Sequence, residues 1–111
     1  MPDTKYPHGW GRMDYYHGTR YIGQWSHGVR EGCGALFTRG HVSSIYHGEW
    51  RQDLQTGWGV IRYSTGVEYS GQWVNNKYHG YGVMTWSNGD KYKGHFTYGL
   101  MHGVRLDVLK Q

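Results

Sequence analysis

Tyr69-Ser70-Gly71-Gln72-Trp73, a six-residue connector and then Gly80-Tyr81-Gly82 form the stretch whose reading decides the fold. The same frame returns at Tyr46/Gly48/Trp50 with Gly57/Gly59, at Tyr92/Gly94/Phe96 with Gly103, and at Tyr21/Gly23/Trp25 with Gly32/Gly34. Self-similarity at a fixed period marks a repeat architecture and takes precedence over local assignments. The steps between successive tyrosines are 25, 23 and 23 residues, and each tyrosine precedes the first glycine of its pair by 11. The irregularity lies in one connector, where copy two carries two extra residues between Thr38 and Ser44.

Tyr, Gly and Trp at i, i+2 and i+4 share one face of a β-strand, because side chains alternate with period two. The return strand keeps that parity in Gly80/Gly82/Met84/Trp86, Gly57/Gly59/Ile61/Tyr63, Gly32/Gly34/Leu36/Thr38 and Gly9/Gly11/Met13/Tyr15. Nineteen glycines, nineteen aromatics and one alanine disfavour helix and suit short strands joined by glycine turns. The fold expected is all-β, an elongated single-layer antiparallel meander of about nine strands with essentially no helix.

Tyr16-His17-Gly18, Ser64-Thr65-Gly66 and Ser87-Asn88-Gly89 read as three-residue hairpin loops with a left-handed glycine and a bulge. The resulting register pairs Met84 with Tyr92, Gly82 with Gly94 and Gly80 with Phe96. The other connector is read to pair Tyr69 with Met84, Gly71 with Gly82 and Trp73 with Gly80. Each large ring then lies between two glycines: Trp25 between Gly9 and Gly32, Trp50 between Gly32 and Gly57, Trp73 between Gly57 and Gly80, and Phe96 between Gly80 and Gly103. A flat ring would cover backbone that carries no side chain. Gly28, Asp53, Asn76 and Gly99, three residues past each ring, tolerate positive φ and predict a tight bend in every connector.

Residues 1–7 show no period and read as a lead-in or cap, residues 8–103 as the array, and residues 104–111 as a terminal cap. The array enters mid-repeat at His8, with one half copy followed by four further copies, the last incomplete. After Gly103 the second glycine is lost, and Arg105 and Asp107 take the ring-side parity.

Apolar residues make up 37% of the chain and form no run long enough to cross a membrane as a helix. The N-terminal residues carry no apolar signal core, and a cytoplasmic or cytoskeletal location is expected. Cys33 stands alone, which excludes an internal disulfide or a cysteine cluster for zinc. The net charge of +4 is spread among acidic residues, so nucleic acid is not indicated as a partner. His8, His79 and His102 share one repeat position, but equivalent residues two strands apart are separated by about 9.6 Å, too far for one ion to bridge the row. A structural role is expected for them, with no metal and no cofactor. No nucleophile, acid–base pair or phosphate loop stands out, so no catalytic residue is assigned and an enzyme is not expected.

Tyr-x-Gly-x-Trp, a Gly/Asn/Asp bend and His79-Gly80-Tyr81-Gly82 resemble the MORN (membrane occupation and recognition nexus) repeat, over roughly residues 8 to 103. Glu31 and Thr56 stand where that family often has His, and Phe96 replaces Trp. The resemblance implies a single-layer antiparallel sheet curved into a groove. Such arrays occur in phosphatidylinositol phosphate kinases, junctophilins, a lysine methyltransferase, ciliary radial spokes and parasite cytoskeletal scaffolds. By that analogy the chain is expected to be a non-catalytic scaffold in a cilium or flagellum, for example a radial spoke of an axoneme, or in another multi-subunit cytoskeletal assembly.

Two binding surfaces follow. The ring side should form a trough of Tyr21, Trp25, Tyr46, Trp50, Tyr69, Trp73, Tyr92 and Phe96 beside Met13, Leu36, Ile61 and Met84, presenting a hydroxyl at each step to a helix or extended segment of another protein. The opposite face carries a second apolar set, chiefly Trp10, Trp58 and Tyr81. The alternative is a peripheral membrane module in which Lys91 and Lys93 contact acidic phospholipid.

Overall fold

Glycine pairs and alternating aromatics build nine strands: β1 (Gly9–Asp14), β2 (Arg20–Ser26), β3 (Val29–Thr38), β4 (Ser44–Arg51), β5 (Leu54–Tyr63), β6 (Glu68–Val74), β7 (Lys77–Thr85), β8 (Lys91–Thr97) and the two-residue β9 (Leu100–Met101). The structure, a computed structural model, describes residues 6–101. His102, Gly103, the 104–111 segment and most of the N-terminal lead-in lie outside the described residues. The strands pair antiparallel in chain order within one open sheet, and the molecule measures 55 × 27 × 16 Å.

Two kinds of turn alternate. His27-Gly28, Gln52-Asp53, Asn75-Asn76 and Tyr98-Gly99 each place two successive residues at positive φ, as a two-residue type I′ hairpin requires. At the other end Gly66 and Gly89 are left-handed, and their N–H groups donate to Tyr63 and Trp86 carbonyls at 2.9 Å, closing the three-residue loops expected there. Copy one replaces this loop with a short 3-10 turn over Tyr16–Gly18, the helical exception among the described residues.

The register agrees with the sequence reading on one side of every glycine pair and corrects it on the other. Met84 pairs with Tyr92, Gly82 with Gly94, Gly80 with Phe96, Tyr69 with Met84 and Gly71 with Gly82. Trp73, however, pairs with Tyr78 and not with Gly80, and a bulge separates Gly71 from Trp73 in the ladder. Trp25 faces Arg30 and Trp50 faces Gln55 in the same way, while Phe96 faces Met101. The cause is the turn. A two-residue loop at Asn75-Asn76 forces Val74 onto Lys77 and Trp73 onto Tyr78, so two surplus residues of the return strand must bulge before Gly82. Each tryptophan therefore flanks one glycine, as Trp73 flanks Gly57, and not two.

Candidate functional site

The ring face is a core. Tyr21, Trp25, Tyr46, Trp50, Tyr69, Trp73, Ile61, Met84 and Phe96 are all buried, and Tyr21 and Tyr69 have no exposed surface at all. Tyr and Trp alternate edge-to-face along the sheet, with centroids 5.0 Å apart for Tyr21–Trp25, 5.3 Å for Tyr21–Trp50, 5.3 Å for Tyr46–Trp50 and 5.0 Å for Tyr46–Trp73. That is the favourable geometry for aromatic quadrupoles. The residues opposite each tryptophan close the layer from above. The Arg30 guanidinium lies over Trp50, Tyr78 stacks on Tyr69 at 4.2 Å, and Gln55 is buried.

The glycines are seated by tyrosine rather than by tryptophan. A side chain at Gly34, Gly59 or Gly82 would occupy the space of the Tyr21, Tyr46 or Tyr69 ring. Each tyrosine hydroxyl then donates to the carbonyl three residues on: Tyr21 to Gln24 at 2.8 Å, Tyr46 to Glu49 at 2.7 Å, Tyr69 to Gln72 at 2.7 Å and Tyr92 to His95 at 3.0 Å. The Trp Nε1 atoms reach back, donating from Trp25, Trp50 and Trp73 to the Gly11, Gly34 and Gly59 carbonyls. Burial, the largest influence, pushes the Tyr21 and Tyr69 hydroxyls up to about 12 and raises those of Tyr46 and Tyr78 as well. The expected row of presented hydroxyls is thus corrected: those of Tyr21, Tyr46 and Tyr69 are spent inside the repeat. Of the twelve trough residues, Met13, Leu36 and Tyr92 stay half-buried and form its accessible rim.

Three recurring positions make side-chain hydrogen bonds that the sequence reading does not contain. Gln24, Glu49 and Gln72 lie between glycine and tryptophan, and their Oε1 atoms accept the N–H of Cys33, Trp58 and Tyr81, clipping each bulge. Gly32, Gly57 and Gly80, the last at φ +93°, turn away from the rings and pack against that clip. Successive bends are also latched together. Asp53 N–H donates to the Arg30 carbonyl at 3.0 Å while Arg30 N–H donates to Asp53 Oδ1 at 2.9 Å, and Asn76 repeats the bracket on Gln55. Glu31, Thr56 and His79 each accept an N–H from the next bend, of Gln52, Asn75 and Tyr98. Three different side chains fill one position because the latch asks only for an acceptor. The recurrence of Gly-Gln/Glu-Trp was a visible signal for the clip. For the latch, chemically unlike residues concealed it.

The opposite face is where large apolar side chains reach solvent. Trp10, Trp58 and Tyr81, each between the two glycines of its copy, are 69%, 56% and 46% exposed, in a row that also contains exposed Cys33. Ile22 and Ile45 are exposed beside it. Arg12 and Arg20 share Asp14 at 2.8 and 2.7 Å, and Arg62 holds Glu68 at 3.1 Å. Hydrogen bonds from Arg12 and then Arg20 keep the Asp14 carboxyl below the usual carboxylate range. Lys91 and Lys93 are exposed on this face and form no ion pair among the described residues.

Among the described residues no group of three His, Cys, Asp or Glu side chains converges as metal ligands would, and no helix is long and apolar enough to cross a membrane. The family model for the MORN repeat matches residues 21–41, 46–68, 69–91 and 92–104, all beginning on a tyrosine and two ending on the residue before the next one. MORN repeats are non-enzymatic modules that generally serve as protein- or lipid-binding scaffolds. With four matched copies covering most of its length, the chain belongs to the MORN repeat family.

Proposed function

We propose that the chain is a non-catalytic scaffold that holds segments of partner proteins against exposed aromatic side chains. The observation that carries this reading is the row Trp10, Trp58 and Tyr81 on the face opposite the core. Trp and Tyr are among the residues most enriched where interfaces concentrate their energy. The ring face supports this role chiefly by rigidity, and its rim at Met13, Leu36 and Tyr92 supplies a second, smaller contact for a helix or extended segment. A place in a cilium, flagellum or other cytoplasmic cytoskeletal assembly, such as a radial spoke, rests on the likeness of this short array to the arrays of such structures.

A photoreactive residue at position 58, compared with one at position 36, tests the assignment within the native assembly. Cross-links to one discrete partner from position 58, lost in Trp10→Ser with Tyr81→Ser, are expected. Cross-linking from position 36 alone would move the partner into the trough. The lipid reading is favoured by Lys91 and Lys93 alone, since Arg12, Arg20 and Arg62 already have carboxylate partners. Weak, salt-sensitive binding to anionic vesicles is therefore expected.

A further inference from the structure

Glu49, Trp58, Gln72 and Tyr81 lie side by side across β4 to β7, on the face opposite the rings. Trp58 pairs with Gln72 in the ladder, Glu49 Oε1 accepts the Trp58 backbone N–H, and Gln72 Oε1 accepts the Tyr81 backbone N–H at 2.7 Å. The two clips use one atom of each side chain. The second Glu49 oxygen, Gln72 Nε2, the Trp58 indole N–H and the Tyr81 hydroxyl have no hydrogen-bond partner among the described residues. Two rings, 56% and 46% exposed, therefore flank a spare amide donor, and the first ring carries a second spare donor. The Glu49 carboxylate beside them forms no ion pair among the described residues.

Spacing and chemistry select the ligand. Trp58 and Tyr81 stand two strands apart, about 9.6 Å at about 4.8 Å per strand. A polyproline II helix returns to the same face every third residue, after about 9.3 Å. An extended β-strand returns after about 6.7 Å and an α-helix after about 5.4 Å, so neither sets successive same-face residues on both rings. A proline-rich backbone also has few N–H groups and leaves its carbonyls unpaired, which suits a row that offers donors. An α-helix would bring those donors no free carbonyl. On the reading that partners are held on this face, we infer that the segment bound there is proline-rich and in the polyproline II conformation. Prolines three apart lie on Trp58 and Tyr81, and carbonyls between them accept from Gln72 Nε2 and the Trp58 indole. One turn farther the equivalent seat is Cys33, which is small, exposed and paired with Glu49. An arginine or lysine over Cys33 meets the spare Glu49 oxygen. The motif is thus a basic residue with prolines three and six positions away.

The test titrates the full chain into fluorescein-labelled decaproline, either free of arginine or with one arginine near one end or the other, and reads fluorescence anisotropy. Saturable binding is expected, and one arginine version should bind about three- to tenfold tighter at low salt. Trp58→Ala should weaken every peptide by about tenfold or more. Gln72→Glu keeps the clip that Glu49 makes and removes only the spare donor. It should hold its thermal midpoint yet bind arginine-free decaproline about three- to tenfold more weakly. Glu49→Gln, which also keeps the clip, should erase the preference for arginine, and a preference that survives it overturns the role of Glu49. Decaproline that fails to bind overturns the proposal. If cross-links from position 58 to a partner persist in that case, the partner face stands and its ligand class alone falls; if they are absent too, both readings fall. Binding unchanged in Trp58→Ala or Gln72→Glu overturns the placement on this row, and equal binding of a glycine–serine peptide of the same length and charge overturns the need for polyproline.

Discussion

The Arg30 guanidinium lies 4.4 Å above the ring of Trp50, in the next copy, while Arg30 Nε donates to Asp53 Oδ1 at 2.9 Å. One side chain thus covers the core of its neighbour and fixes the neighbour's turn. Arg30→Ala should lower stability by about 1–2 kcal/mol, the range of a partly desolvated cation–π contact. Arg30→Lys should recover less than half of this, because an ammonium cannot lie flat on the ring and bond Asp53 together. Urea midpoints measure both, and a fully stable Arg30→Ala would contradict the bridging role.

Asp53 supplies an acid-range prediction. Burial works to raise its pKa, but the Arg30 N–H and guanidinium outweigh it and hold the carboxyl below its ordinary value. The stabilisation is present above the unfolded value of about 3.9 and is lost as pH falls through the folded value. Asp53→Asn keeps the acceptor that Asn76 already provides in the next copy, so its thermal midpoint should fall less steeply than that of wild type below about pH 4.

The buried tyrosines set the alkaline limit. Folded-state values near 12 for Tyr21 and Tyr69 lie above the unfolded value of about 10. Their contribution is complete below about pH 10 and disappears as pH rises through 12. Tyrosinate absorbance from these residues should appear together with loss of the β-sheet dichroism. Ionisation of both well before unfolding would show the rings to be accessible.

The repeat geometry ranks substitutions within one copy. Gly59→Ala should cost about 1–3 kcal/mol as overpacking against Tyr46. Glu49→Gln should be neutral within about 0.5 kcal/mol, since Gln24 and Gln72 make the same clip, while Glu49→Ala should cost about 1 kcal/mol. Gly80→Val should be damaging through its positive φ and its collision with Gln72, not through contact with Trp73 and Phe96. Gln72→Ala in the same chain should therefore recover only the collision, which denaturation of the single and double variants can separate.

Much of this was legible in the sequence because two-residue alternation and a fixed period leave few registers open. The facing of Tyr69, Gly71 and Trp73, the left-handed bends at Asp53 and Asn76 and the pairing of Gly82 with Gly94 all follow from spacing. The partner of Trp73 does not, because the spacing of the glycines leaves open where the connector turns. Counting also from the Asn75-Asn76 turn gives Tyr78 and exposes the two surplus residues. The closure of the trough is hidden for a related reason: Arg30, Gln55 and Tyr78 share no chemical type, so nothing in their identities marks them as a common lid over the rings. Trp10, Trp58 and Tyr81 were assigned correctly to the other face by parity alone.

The latch between successive bends also bears on how the chain can be made. The bonds between successive bends, from Arg30–Asp53 to Tyr78–Gly99, span 21 to 23 residues, and Trp25, Trp50 and Trp73 each bond a carbonyl only 14 to 16 residues earlier. A new hairpin therefore needs nothing but the hairpin before it, and no strand waits for a partner from the far end of the chain. For an all-β protein this is an unusually local contact map, which favours rapid folding. At a synthesis rate of about 5–20 residues per second, each copy emerges in a few seconds and finds its docking surface already formed. The array can be assembled one hairpin at a time, in the direction in which it is translated.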